Sequence, residues 1–196
     1  MRDALLSAAL DRFAANGVAA TPLDAIRRDA GASVGSLYHA FPGGKADLTA
    51  ALYVETLAGY QDAFLGELRR AADARGGIER TVQMHLRWHV RHRDAARFLH
   101  SAREPELRAA TDPPLRERNA DFFGAIRAWL GPHVDAGVVR ELPTAVLHAL
   151  WLGPAQELCR HWLAGAVRTP DPATRALLAD AAWRALRAEP TQGGTR

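Results

Sequence analysis

The sequence predicts an all-α fold: a small three-helix head at the N-terminus followed by a larger helical body. Three observations predict it. Apolar residues recur at helical spacing along most of the 196 residues, and no stretch alternates apolar and polar side chains as a half-buried strand does. Glycine and proline clusters punctuate those periodic stretches at intervals that suit helices. Residues 21–45 hold two short helical segments on either side of one glycine, each with its own start signal. At 48% hydrophobic residues, the chain has enough apolar surface for a real core.

The elements follow in order. Residues 3–16 form the first helix, with Leu6, Leu10 and Phe13 facing inward and Gly17 stopping it. Thr21 then reads as an N-cap, with Pro22 at the first helical position and Asp24 completing a capping box. Leu23, Ile26 and Ala30 share a face, and Gly31 supplies the left-handed residue that ends this helix. Ser33 caps the next, whose Val34, Leu37 and Phe41 again share a face. Helix, glycine turn and Ser-capped short helix make a helix-turn-helix pattern, whose second helix lies in the DNA major groove. Pro42-Gly43-Gly44 is a turn, and a long helix over residues 45–70 carries Leu48, Leu52, Leu57, Phe64 and Leu68 inward. Gly76-Gly77 reads as a break before a helix over 78–93.

The 78–93 helix has an unusual inner arc. At about 100° per residue, Ile78, Val82 and Leu86 share it with His85, His89 and His92, with Trp88 on its edge, while Arg80, Arg87 and Arg91 point away. A shorter helix near 94–102 ends at Glu104-Pro105, and Asp112-Pro113-Pro114 marks a loop. Residues 115–130 are helical, with Phe122, Phe123, Ile126, Trp129 and Leu130 apolar, and Gly131-Pro132 and Gly137 bring a turn. Residues 143–165 form the most apolar helix, kinked at Gly153-Pro154. A last helix spans 173–188, and 190–196 reads as a loose tail.

The segments AAxxxFxxxG (Ala8 to Gly17), TPLDAI, AGASVGSLYHAF and GGKADL together resemble the N-terminal domain of the tetracycline-repressor (TetR) family of bacterial regulators. The likeness covers about the first quarter of the chain. It departs at Ala40, where many members have His, and at Arg27, where the usual Ile-Ala of the motif is Ile26-Arg27. The resemblance implies a DNA-binding head at 1–47, an effector-binding and dimerisation domain at 48–189, and a transcriptional regulator, a repressor, released from a palindromic operator by a small organic effector. It implies a homodimer whose last two long helices pair with their two-fold mates; Leu158, Trp162, Leu178 and Trp183 are candidate interface residues. It also implies that Lys45, the one lysine of the chain, meets a phosphate.

Residue chemistry offers candidates for the other DNA contacts. Gly35 lets the backbone approach a phosphate. Tyr38 and Thr21 offer hydroxyls to phosphate, Ser33, Ser36 and His39 can reach base edges, and Arg28 can meet either; a packing role for Tyr38 and a solvated surface role for Arg28 are the alternatives. The head up to Leu48 is neutral, with Arg2, Arg12, Arg27, Arg28 and Lys45 against Asp3, Asp11, Asp24, Asp29 and Asp47. The net charge of +3 therefore arises further along.

The inward histidines allow three readings. They can line an effector pocket with Trp88, Phe122, Trp151 and Cys159, the preferred reading. They can bind a metal with Cys159, Glu157 or His161, or they can simply pack. No phosphate-binding glycine loop, GxSxG, paired cysteines or HExxH is present, so neither enzyme nor cofactor is expected. The runner-up function is a helical small-molecule or metal-binding protein whose head does not read DNA. The single cysteine, the lack of an apolar leader and the lack of a membrane-length apolar run lead us to expect a cytoplasmic protein with no membrane partner.

Overall fold

A computed structural model describes residues 1–101 and 105–189; the expected tail at 190–196 lies outside the described residues. The described chain is helical: α1 (Arg2–Asn16), α2 (Leu23–Asp29), α3 (Val34–Ala40), α4 (Lys45–Arg69), α5 (Ala74–Arg91), α6 (Arg93–Ser101), α7 (Pro105–Asp135), α8 (Thr144–Trp151), α9 (Gly153–Leu163) and α10 (Pro172–Leu186). One isolated antiparallel bridge joins Val139 to Arg187. No described helix is long and apolar enough to cross a membrane. The chain divides into two compact units, Met1–Gln61 with Arg91–Asp121, and Asp62–Val90 with Phe122–Arg196.

The first unit is built on one apolar cluster. Leu5, Leu6, Ala9 and Phe13 of α1 meet Ile26 of α2, Leu37 and Phe41 around α3, and Leu48 and Leu52 of α4. Phe98 of α6 completes it, stacked on Phe13 with ring centroids 5.7 Å apart. The inner face of α1 includes Leu5, which the sequence pattern left out, while Leu10 is only half-buried.

The second unit carries α5 with Ile78, Val82, Leu86, His85 and His89 buried. His92 falls beyond the end of α5 and is exposed, so it leaves the predicted arc. Gly76-Gly77 is not a break. Asp73 accepts a hydrogen bond from the Gly76 N–H at 2.6 Å, the helix starts at Ala74, and Gly77 lies under the Trp129 ring. Asp112-Pro113-Pro114 and Gly131-Pro132 do not interrupt α7 either. The buried Leu115, Phe122, Ile126 and Leu130 fix that helix on its packing face, and tertiary packing overrides a poor local propensity. At Gly153-Pro154 the predicted kink becomes a full division into α8 and α9, with Pro154 in the first turn of α9. Asp171 caps α10 by accepting from the Thr174 N–H at 2.7 Å.

Candidate nucleic-acid interface and interior site

The turn between α2 and α3 is rigidly tied. Gly31 has φ 62°, its N–H donates to the Arg28 carbonyl, and the Ala32 N–H donates to the Arg27 carbonyl, both at 3.0 Å, as in a Schellman end. Arg27 fastens the far side: its guanidinium donates to Asp24 at 2.7 Å and to the Ala32 carbonyl at 2.8 Å. Arg12 of α1 grips Asp29 through two hydrogen bonds, one of them 2.9 Å long. These arginines hold Asp24 and Asp29 below the usual carboxylate range, chiefly by hydrogen bonding, so both acids stay ionised against their partners. Ser33 caps α3, accepting from the Ser36 N–H at 3.0 Å.

With Leu37 and Phe41 turned into the core, α3 presents Val34, Gly35, Tyr38 and His39 outward, with Ser36 half-buried and Ser33 exposed at its start. Val34 is 57% exposed, which corrects the expectation that it shares the buried face with Leu37. It stands at the first turn of α3, before the helix meets the core. Arg28 is exposed and paired with Asp24 at 3.3 Å. Lys45 is half-buried, its ammonium donating to the Ala19 carbonyl at 3.2 Å.

Thr21 is not the cap of α2. Pro22 holds that position without a side-chain bond, and Thr21 is buried, its hydroxyl donating to the Gly17 carbonyl at 2.8 Å. That hydroxyl therefore closes the α1–α2 loop. Asp24, expected in a capping box, serves Arg27 and Arg28 instead. A surface groove beside α3 is lined by Met1, Arg2, Gly35, Ser36, His39 and Ala40. The sequence reading passed over Arg2. Its guanidinium lies 5.7 Å from the Phe41 ring centroid and pairs with Glu55, which the packing of α1 on the head brings about.

All six candidate ligand residues belong to the second unit. His85, His89, Phe122, Trp151 and Cys159 are buried and Trp88 is half-buried. Phe64 contacts both Phe122 and Trp151, at 5.5 and 5.8 Å between centroids, and Trp129 lies 6.3 Å from Trp151. The Trp151 indole N–H donates to the Thr81 hydroxyl at 3.0 Å. His85 and His89 have centroids 4.2 Å apart, and Trp88 stands edge-on to His89 at 5.4 Å. One ligand atom from each of His85, His89 and Cys159 lies within 4.8 Å of the other two. Burial pushes the Cys159 thiol up to about 12. Glu157 and His161 do not join this group. They sit on the outer side of α9, where Arg160 and then His161 hold the Glu157 carboxylate down at about 2.

Of the candidate interface residues, Leu158, Leu178 and Trp183 are half-buried. Trp162 is buried within the chain, its indole donating to Thr169 at 3.1 Å. Val146 of α8 and Leu177 of α10 are 43% and 67% exposed.

Residues 5–52 match the family described as bacterial regulatory proteins, tetR family. No curated protein matches the chain. Among solved structures, the chain is similar to a TetR family transcription regulator from Marinobacter aquaeolei VT8, with a TM-score of 0.82 and 22% identity over 96% of each chain. The fatty acid degradation regulator FadR from Bacillus halodurans is similar with a TM-score of 0.74 and 18% identity, over 94% of this chain and 96% of that one. The transcriptional regulator FadR from Bacillus subtilis, in complex with stearoyl-CoA, gives a TM-score of 0.75 and 17% identity over 94% and 96%. At these identities the likeness is one of fold.

Proposed function

We propose that this chain, whose N-terminal segment belongs to the tetR family of bacterial regulatory proteins, is a transcriptional repressor that binds a palindromic operator as a homodimer and leaves it on binding a small organic effector. The exposed face of α3, mounted on a turn fixed by Gly31, Arg27 and Ser33, is the observation that carries this reading. A helix so presented fits the major groove, where Ser36 and His39 reach base edges and the Val34 methyls suit a thymine methyl. Gly35 admits a phosphate closely, while Tyr38, Arg28 and Lys45 offer a hydroxyl and two cations to the backbone. A neutral head binds weakly alone, so two heads on one duplex supply the affinity.

Dimerisation falls to α8, α9 and α10, whose Val146, Leu158, Leu177, Leu178 and Trp183 keep apolar surface outside the chain's own core. Trp162 supports this face from within. The effector site is the ring-lined interior of the second unit, where Phe122, Trp151 and Trp88 offer apolar walls and His85, His89 and Cys159 a polar corner. An effector with an apolar body suits it, and the Bacillus subtilis regulator of like fold holds stearoyl-CoA. Helix α4 contributes residues to both units, giving the effector a continuous element through which to bias head spacing.

Fluorescence anisotropy on duplex DNA tests the head. Lys45→Ala is expected to weaken all sequences alike and lower the salt slope by about 1, whereas Ser36→Ala and His39→Ala shift base preference. Sequence-independent effects from all three would refute α3 as the reading helix.

A further inference from the structure

The geometry points to a binding site for one monovalent copper ion formed by His85, His89 and Cys159 inside the second unit. Their ligand atoms lie within 4.8 Å of one another, and the residues are 3, 5 and 1% exposed. Around an ion with bonds of about 2.0–2.3 Å, ligand atoms stand about 3.3–3.8 Å apart. Small χ adjustments close the difference. Two of the donors are one turn apart on α5, and the third comes from α9, so two packed helices preorganise the set.

A backbone carbonyl holds the His89 ring. Its Nδ1 lies 2.9 Å from the His85 carbonyl. A carbonyl only accepts, so Nδ1 carries a proton in this hydrogen bond. Metal-ligating imidazoles are commonly held this way, by donation of the other ring N–H to a backbone carbonyl.

Charge selects the ion. Two neutral imidazoles and one thiolate sum to −1, so a monovalent ion leaves the buried site neutral and a divalent ion leaves it positive. An uncompensated buried charge is expensive. The carboxylate nearest in sequence, Glu157, is engaged by Arg160 and His161 on the outer side of α9. A thiolate is a soft ligand that suits monovalent copper, and imidazole accepts copper as readily as zinc. On loading, the S–H bond of Cys159 breaks, its proton leaves to solvent and the sulfur–copper bond forms, with no change in the oxidation state of the ion.

The site uses the three residues proposed above as the polar corner of the effector site, and its test, metal uptake, does not depend on DNA reading. Reduced full-length protein is titrated anaerobically with monovalent copper buffered by bicinchoninate. One copper per chain is expected, with ultraviolet thiolate-to-copper absorption and an X-ray absorption shell of two nitrogens and one sulfur. Cys159→Ala and His89→Gln, each checked for native helicity, are expected to weaken binding by at least about tenfold. Tighter retention of zinc than of copper, uptake unchanged in the Cys159→Ala/His89→Gln double variant, or a wild-type shell without sulfur would each overturn the proposal. The wild-type absorption shell decides the matter even if a variant fails to fold. Duplex binding, measured separately with and without copper, distinguishes a failed metal site from a head that does not bind DNA.

Discussion

At position 77 a methyl group has no room: a Cβ would stand 2.2 Å from Cζ2 of Trp129 and 3.3 Å from the Ala71 methyl. Helix propensity alone predicts that Gly→Ala gains up to about 1 kcal/mol, while overpacking costs about 1–3 kcal/mol. Gly77→Ala is therefore expected to lower the urea midpoint. Gly59→Ala, within α4 with nothing in reach of its Cβ, is expected to raise it. A gain at both positions would show that Trp129 moves aside freely. The case explains why Gly76-Gly77 read as a break. A sequence displays the missing side chains but not the indole that requires one of them to be missing. Thr21 misled for a related reason. A hydroxyl before Pro22 looks like a cap, and only the folded α1–α2 loop reveals the Gly17 carbonyl that accepts its hydrogen bond. Val34 shares the helical phase of Leu37, yet the head does not extend far enough to cover it.

Among the elements, α1 to α4 were legible because their information is local. Caps, a left-handed glycine and helical phase set them, and the Gly31 and Ser33 geometry follows from residues within one turn. What remained hidden is non-local. Nothing near residue 98 announces that Phe98 stacks on Phe13 of α1 and meets Tyr53 of α4 at 6.2 Å. Phe98→Ala is expected to cost about 3–5 kcal/mol, as for other buried aromatic truncations, and to weaken hydrogen-exchange protection throughout α1. Unchanged protection there would show that the head does not depend on α6. The prolines of α7 were misjudged because propensity speaks for isolated segments, while four buried apolar side chains keep this helix in place. For the interior site, the phase of α5 placed His85 and His89 inward from sequence alone. That Cys159 meets them, and Glu157 does not, depends on the rotation of α9, which a proline-broken apolar stretch does not reveal.

At the scale of the whole molecule, charge and symmetry decide how the chain works. The head carries no net excess of cations, and Arg12, Arg27 and Arg28 are engaged with Asp29 and Asp24. On the proposed function, nonspecific attraction to phosphate is correspondingly small, and tight binding would come from two heads seated in successive major grooves, about 34–36 Å apart. The apolar side chains left outside the core on α8 to α10 are the surface proposed for pairing. The central claim is that a dimer of this chain reads an inverted repeat, and a selection from random duplexes tests it most directly. At low salt the account predicts enrichment of an inverted repeat whose half-site centres lie one helical turn, about 10–10.5 bp, or a multiple of it apart. Enrichment of a single unpaired half-site, or of no sequence at all, would contradict it.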